Sequence, residues 1–180
     1  CIATAGLINA EEGKVIISPN IPGFRNLVLT APVAERLGIP VSIENDASAA
    51  ALGEFRFGAG RGARHLLHAT LGTGVGGGIV IDGRLYRGAR GLAGEIGHII
   101  LDPSGPRCNC GFRGCMEALV SGIAFAGRAR RILATGKSPT LAAIVGDAAP
   151  SAAHLSAAAA AGDTVCEAEI RNAGHLLGLG

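Results

Sequence analysis

Three of the chain's five cysteines fall inside the run RCNCGFRGC, at Cys108, Cys110 and Cys115. His98 stands ten residues before the first of them, giving His-x9-Cys-x-Cys-x4-Cys. One imidazole and three thiolates make a Cys3His donor set, which suits tetrahedral zinc. Gly105, Gly111 and Gly114 let so short a loop turn tightly enough to bring the donors together. A disulfide, or three unrelated buried thiols, is the alternative. Cys-x-Cys is poorly spaced to bridge to itself, and no sign of secretion accompanies the run, which tilts the balance toward metal. Cys1 and Cys166 lack such neighbours and read as plain buried residues.

The rest of the composition narrows the function classes. At 180 residues the chain can form one or two domains with a real core. With 29 glycines, 3% aromatic residues and 48% hydrophobic residues, packing has to come from closely approaching backbones. Net charge is only +2, without a basic run or an aromatic ladder, so no nucleic-acid partner is expected. No apolar stretch approaches the ~20 residues that cross a bilayer, so no membrane partner is expected either. The cytoplasm is the expected compartment. The chain opens within a strand-like stretch, CIATAGLI, and closes on RNAGHLLGLG inside a helical pattern. It therefore reads as a fragment lacking an N-terminal start and a C-terminal end.

Strand and helix signals alternate through residues 1–58. CIATAGL and KVIIS read as strands, SPNIPGF as a loop, LTAPVAERLG as a helix stopped by Gly38 and Pro40. VSIE is a short strand leading straight into a helix, NDASAAALGEF. GAGRGAR then marks a break, and the expected division is a first lobe over 1–58 and a second over 59–180. HLLHATL and GGGIVIDGRLYRG read as strands, with Asp82-Gly83 as a hairpin turn. GEIGHIIL reads as a third strand of this centre. Helical spacing runs from 114 to 135, and three shorter helices follow. The result is an α/β chain with a strand-rich middle and a helical tail.

LGTGVGGG contains a formal G-x-G-x-x-G at Gly72, Gly74 and Gly77. A dinucleotide site needs a helix next, and the following IVIDGRLY is strand and hairpin. No lysine is present for a Walker loop. What remains is a glycine turn whose N–H groups and Thr73 hydroxyl could cradle a phosphate, or a tight hairpin and nothing more. Asn45 and Asp46 stand where a strand meets a helix, and both a helix cap and a polar site edge fit them. Glu95, three before His98, and Glu117, two after Cys115, would be drawn into one cluster with His98 by a metal in the cysteine loop. Glu35 and Glu54 read as solvated surface charge.

Taken in order, ENDASAAALGE, LGTGVGGGIVIDGRLYRGARGLAGEIGH and CNCGFRGCMEALVSG resemble the ROK (repressor, open reading frame, kinase) family, on the side of its ATP-dependent glucokinases. The likeness runs from about residue 16 to about 131. It implies a ribonuclease-H-like, actin-type α/β fold of two lobes with a sugar in the cleft between them. It implies ATP-dependent phosphorylation of a hexose 6-hydroxyl, most plainly that of glucose, with Asp46 as the general base. Asn45, Glu95, His98 and Glu117 match the residues that bind the other hydroxyls. Gly72, Thr73, Gly74 and Gly76 match the second phosphate loop for Mg2+-ATP. His98, Cys108, Cys110 and Cys115 match the ligands of a structural Zn2+. A homodimer is implied for the full-length protein. Relatives of the same family that act as sugar-sensing repressors, or as kinases of N-acetylmannosamine or fructose, are the alternatives, and some relatives use polyphosphate in place of ATP. The sequence departs from the pattern at Ser48, where a second Asn is usual, and at Phe24, where Trp is usual. The first phosphate loop, Asp-x-Gly-Gly-Thr, and the adenosine-binding stretch are absent from these 180 residues, so the fragment alone is expected to be inactive.

Overall fold

The computed structural model describes residues 1–18 and 20–180. Pro19, within the expected SPNIPGF loop, lies outside them. Contacts divide the chain into two compact units. The first is Cys1–Thr70 with Gly76–Glu95, and the second is Leu71–Val75 with Ile96–Gly180. The sequence-based division at residue 58 runs differently, because the strands after GAGRGAR fold largely with the first unit.

In the first unit, β1 (Ile2–Thr4) pairs in parallel with β5 (Ile43–Asn45), Thr4 opposite Asn45. β2 (Leu7–Asn9), β3 (Lys14–Ile17) and β4 (Arg25–Val28) form an antiparallel sheet. The expected single strand CIATAGL is thus two strands, because Gly6, at φ +121, turns the chain sharply between them. Ile8, Val15 and Ile43 make the core here, and Phe24 packs against them. Two helices follow their strands, α1 (Thr30–Leu37) and α2 (Asp46–Phe57). Gly38 ends α1 in the left-handed region, as the Gly-Ile-Pro sequence predicts.

β6 (Leu66–Leu71), β7 (Val75–Ile81) and β8 (Arg84–Leu85) make a third sheet in chain order. Asp82 and Gly83, at φ +49 and +76, form the two-residue hairpin turn between β7 and β8. Gly78 lies where a Cβ would sit 2.5 Å from that of Ala51, so β7 and α2 meet backbone to backbone.

The second unit departs from expectation at GEIGHIIL. It is no strand: Ile96–His98 form a 3-10 turn, and only Ile100 makes a bridge, to Cys115. Gly97 is pressed against the Val75 carbonyl so closely that a side chain would overlap it, which forces the chain to curl there. The expected helix over 114–135 is two, α3 (Met116–Val120) and α4 (Gly122–Thr135), broken at Ser121, whose hydroxyl accepts from the Ala124 N–H and caps α4. α5 (Pro139–Val145), α6 (Ala152–Ala160) and α7 (Thr164–Leu179) complete the tail. Ala129, Ile132, Leu141, Val145, Leu155, Ala158 and Cys166 form its core, and Met116, Leu119, Val120 and Ala173 join α3 to α7. Cys166 is buried as expected, whereas Cys1 is exposed. Among the described residues no helix is long and apolar enough to cross a membrane.

Candidate functional site

The cysteine loop is shaped by its backbone before any ligand is considered. The N–H groups of Leu101 and Asp102 both donate to the Gly114 carbonyl, and Gly114 N–H donates to Pro106. Cys108 N–H donates to the Phe112 carbonyl at 2.8 Å, closing a tight turn around Cys110. Gly114 has φ +68, and a side chain there would overlap Asp102, so glycine is required. Cys115 then serves as the N-cap residue of α3.

This folding gathers His98, Cys108, Cys110 and Cys115, whose ligand atoms all lie within 4.8 Å of one another. Cys110 and Cys115 sulfurs are 3.5 Å apart, and Cys108 Sγ is 3.8 Å from His98 Nδ1. Tetrahedral zinc with Zn–S of about 2.3 Å would set sulfurs about 3.8 Å apart, so the donor set fits that ion. The thiol chemistry agrees. Burial pushes the Cys108 thiol up to about 12, helped by hydrogen bonding to Cys110 and Cys115. Burial also raises Cys115, while Cys110 is lowered because the Phe112 N–H and the two neighbouring thiols outweigh its own desolvation. Three thiols packed so closely hold one negative charge readily, and a divalent cation is what allows all three to be thiolates. All five cysteines are free.

Glu117, half-buried in the first turn of α3, faces two ways. Oε1 is 3.7 Å from Cys108 Sγ, and Oε2 accepts from the Val75 N–H at 3.1 Å. The glycine loop is therefore anchored to the helix that follows the cysteines. Gly72 N–H donates to the Gly74 carbonyl, and the Gly72 carbonyl accepts from Gly122 N–H at 2.8 Å. Among the described residues the N–H groups of Thr73 and Gly74 have no backbone acceptor. The strand that follows the loop rules out a dinucleotide fingerprint, as the sequence suggested. Gly76 belongs to the first unit, where a Cβ would press on Ala47 and Thr70.

In the first unit, Asn45 caps α2: its Oδ1 accepts from Ser48 N–H at 3.0 Å and its Nδ2 donates to the Gly6 carbonyl. Asp46 is the first residue of α2, exposed, with Oδ1 accepting from Ala47 N–H. The corner thus satisfies the cap reading while keeping a carboxylate at a helix N-terminus. Glu95 is exposed at the end of this unit. Sequence reasoning passed over Glu44 and Arg87, which form an ion pair beside this corner. An acidic residue inside the apolar strand VSIE was the available signal, since a buried carboxylate needs a partner.

The mixed α/β fold is that of the ROK sugar kinases of known structure, an actin-like ATPase fold. A sequence model of the ROK family matches residues 1–179, and the chain belongs to that family. It is 46% identical to the glucokinase of Thermotoga maritima over 167 residues, 90% of this chain and 51% of that protein. It superposes with a TM-score of 0.83 on the ROK family glucokinase of Streptomyces griseus, solved with glucose and AMPPNP. That pair shares 40% identity over 96% of this chain and 56% of the other. A ROK family transcriptional regulator, a homologue of the E. coli MLC protein, gives a TM-score of 0.84 at 35% identity, over 98% of this chain and 44% of the regulator. The chain thus spans about half the length of the relatives it matches.

Proposed function

We propose that this chain carries the sugar-binding and second phosphate-loop portion of an ATP-dependent hexose kinase, with glucose as the substrate. The observation that carries this reading is the 46% identity to a glucokinase across nine-tenths of the chain. The intact LGTGVGGG turn, with two N–H groups that have no backbone acceptor, supports it.

In this reading Asp46 removes the proton from the sugar 6-hydroxyl as the 6-oxygen bonds to the γ-phosphorus of ATP. The bond from that phosphorus to the bridging oxygen breaks, and ADP leaves with the Mg2+ that accompanied ATP. Asn45, Glu95, His98 and Glu117 hold the remaining hydroxyls, and Thr73 and Gly74, between Gly72 and Gly76, face phosphate. His98, Cys108, Cys110 and Cys115 would hold zinc with no position open, so the ion supplies a fixed geometry and no Lewis-acid chemistry. Phosphoryl transfer depends chiefly on positioning and charge stabilisation, which is what such a frame provides. The cytoplasm, where thiols stay reduced, and a homodimeric full-length protein belong to the same proposal.

The second reading, a sugar-responsive regulator of transcription, is favoured by the equal fit to a ROK regulator. Assaying the full-length parent with ATP and a hexose panel separates the two. Glucose turnover that disappears in Asp46→Ala supports the kinase and its base. Sugar binding without turnover on any hexose moves the assignment to the regulators.

A further inference from the structure

Glu44, on β5, is 7% exposed, and its carboxylate is divided between two stretches of chain. Oε1 accepts from the Asn45 N–H at 3.1 Å. Oε2 accepts from Arg87 Nε at 2.9 Å and also from Arg87 Nη2. A buried carboxylate is costly unless paired, and a guanidinium offering two donors is a partner that satisfies it.

Arg87 stands at the root of the loop that follows β8. Its carbonyl accepts from the Ala93 N–H at 3.0 Å, which closes residues 87–93 on themselves two positions before Glu95. Gly94, at φ +90, lies so near the Gly77 carbonyl that a Cβ would come within 2.7 Å of it, so the loop's exit is held against β7 as well. The ion pair therefore joins the corner carrying Asn45 and Asp46 to the loop that ends in Glu95. Apolar side chains of similar volume often match such a pair in stability, but they lack directional bonds that set one stretch against another.

We infer that Glu44 and Arg87 are positioning residues for the sugar site, fixing the Asn45–Asp46 corner against the Glu95 loop. The inference rests on the kinase reading for the roles of Asp46 and Glu95. Both side chains act through their neighbours, by way of the Asn45 N–H and the closed loop.

Steady-state kinetics of the full-length parent with its preferred hexose and ATP test it. Arg87→Met raises the hexose KM by about 10-fold or more and lowers kcat, with the ATP KM within about twofold of wild type. Arg87→Lys keeps the charge without the fork and falls between the two. Glu44→Gln combined with Arg87→Met is no worse than Arg87→Met alone, as expected for one shared interaction. Melting temperatures report the purely structural share. Unchanged hexose KM and kcat in Glu44→Gln and Arg87→Met, with only the melting temperature lowered, would overturn the inference, as would strictly additive effects. A wild-type parent that phosphorylates no hexose defeats the kinase reading instead, and calorimetric titration with glucose then decides. Glucose binding weakened about 10-fold by Arg87→Met sustains the positioning role, and a wild-type protein that binds no glucose removes both.

Discussion

The N–H of Val75, the first residue of β7, donates to the carboxylate of Glu117, so the glycine loop and the helix behind the cysteines share one side chain. A second anchor, Gly122 N–H to the Gly72 carbonyl, fixes the other end of the loop. These two anchors can be perturbed separately.

At Gly122 a Cβ would lie 2.8 Å from the Gly72 carbonyl oxygen. Gly122→Ala should displace the loop by a few tenths of an ångström or more without touching a proposed sugar ligand. On the kinase reading, the expected result is an ATP KM raised about 10-fold with the glucose KM within about twofold, read from initial rates of the full-length parent.

Gly74→Ala differs, because its new methyl group would overlap the Glu117 carboxylate. Glu117 must then move away from both the loop and its proposed hydroxyl. Glucose and ATP KM should rise together, and a rise in only one would show that Glu117 does not serve both.

Zinc content is the direct test of the donor set. Elemental analysis should find about one zinc per chain in wild type and a large loss in Cys108→Ser. Stripping the metal should lower the melting temperature and weaken glucose binding together, by about 10–100-fold for the latter. Full glucose affinity in verified zinc-free protein would break the proposed link between the loop and the sugar.

The helical tail offers a pH-dependent test. Ser138, the cap of α5, donates its hydroxyl to Asp163, the cap of α7, at 2.6 Å. That hydroxyl, together with the Cys166 N–H, holds the Asp163 carboxyl below its ordinary value. A depressed carboxyl stabilises the fold above the unfolded-state value of about 4 and loses that contribution as pH falls through its lower folded value. Asp163→Ala, which loses the capping carboxylate, should therefore be destabilised at pH 7 by about 0.5–2 kcal/mol, with the gap to wild type narrowing below about pH 4. Thermal unfolding across pH 2–7 measures it.

Much of this was legible from residue order. The Asp82-Gly83 turn, the Gly38 stop and the gathering of His98 with three cysteines follow from local rules: positive φ, helix capping and donor spacing. What escaped were decisions made at a distance. GEIGHIIL has a strand's apolar content, but Gly97 packs on Val75, twenty-two positions earlier, and the chain curls. Ser121 divides one helical pattern because its hydroxyl caps the helix beyond it. The Glu44–Arg87 pair spans 43 positions, and periodicity carries no trace of it. Asn45 bears out the cap reading, and its side chain caps α2 beside the proposed base.

The break at Ser121 has a consequence for anyone recombining parts among relatives. Because α3 ends there, Glu117 reaches Val75 while Gly122, in the next helix, reaches Gly72. Residues 72–122 consequently behave as one cassette, with the glycine turn at one end and its moorings, behind His98 and the thiols, at the other. A chimera joined inside that stretch would inherit a cysteine loop and a glycine turn tuned to different neighbours. One joined on either side of it would carry the matched set intact.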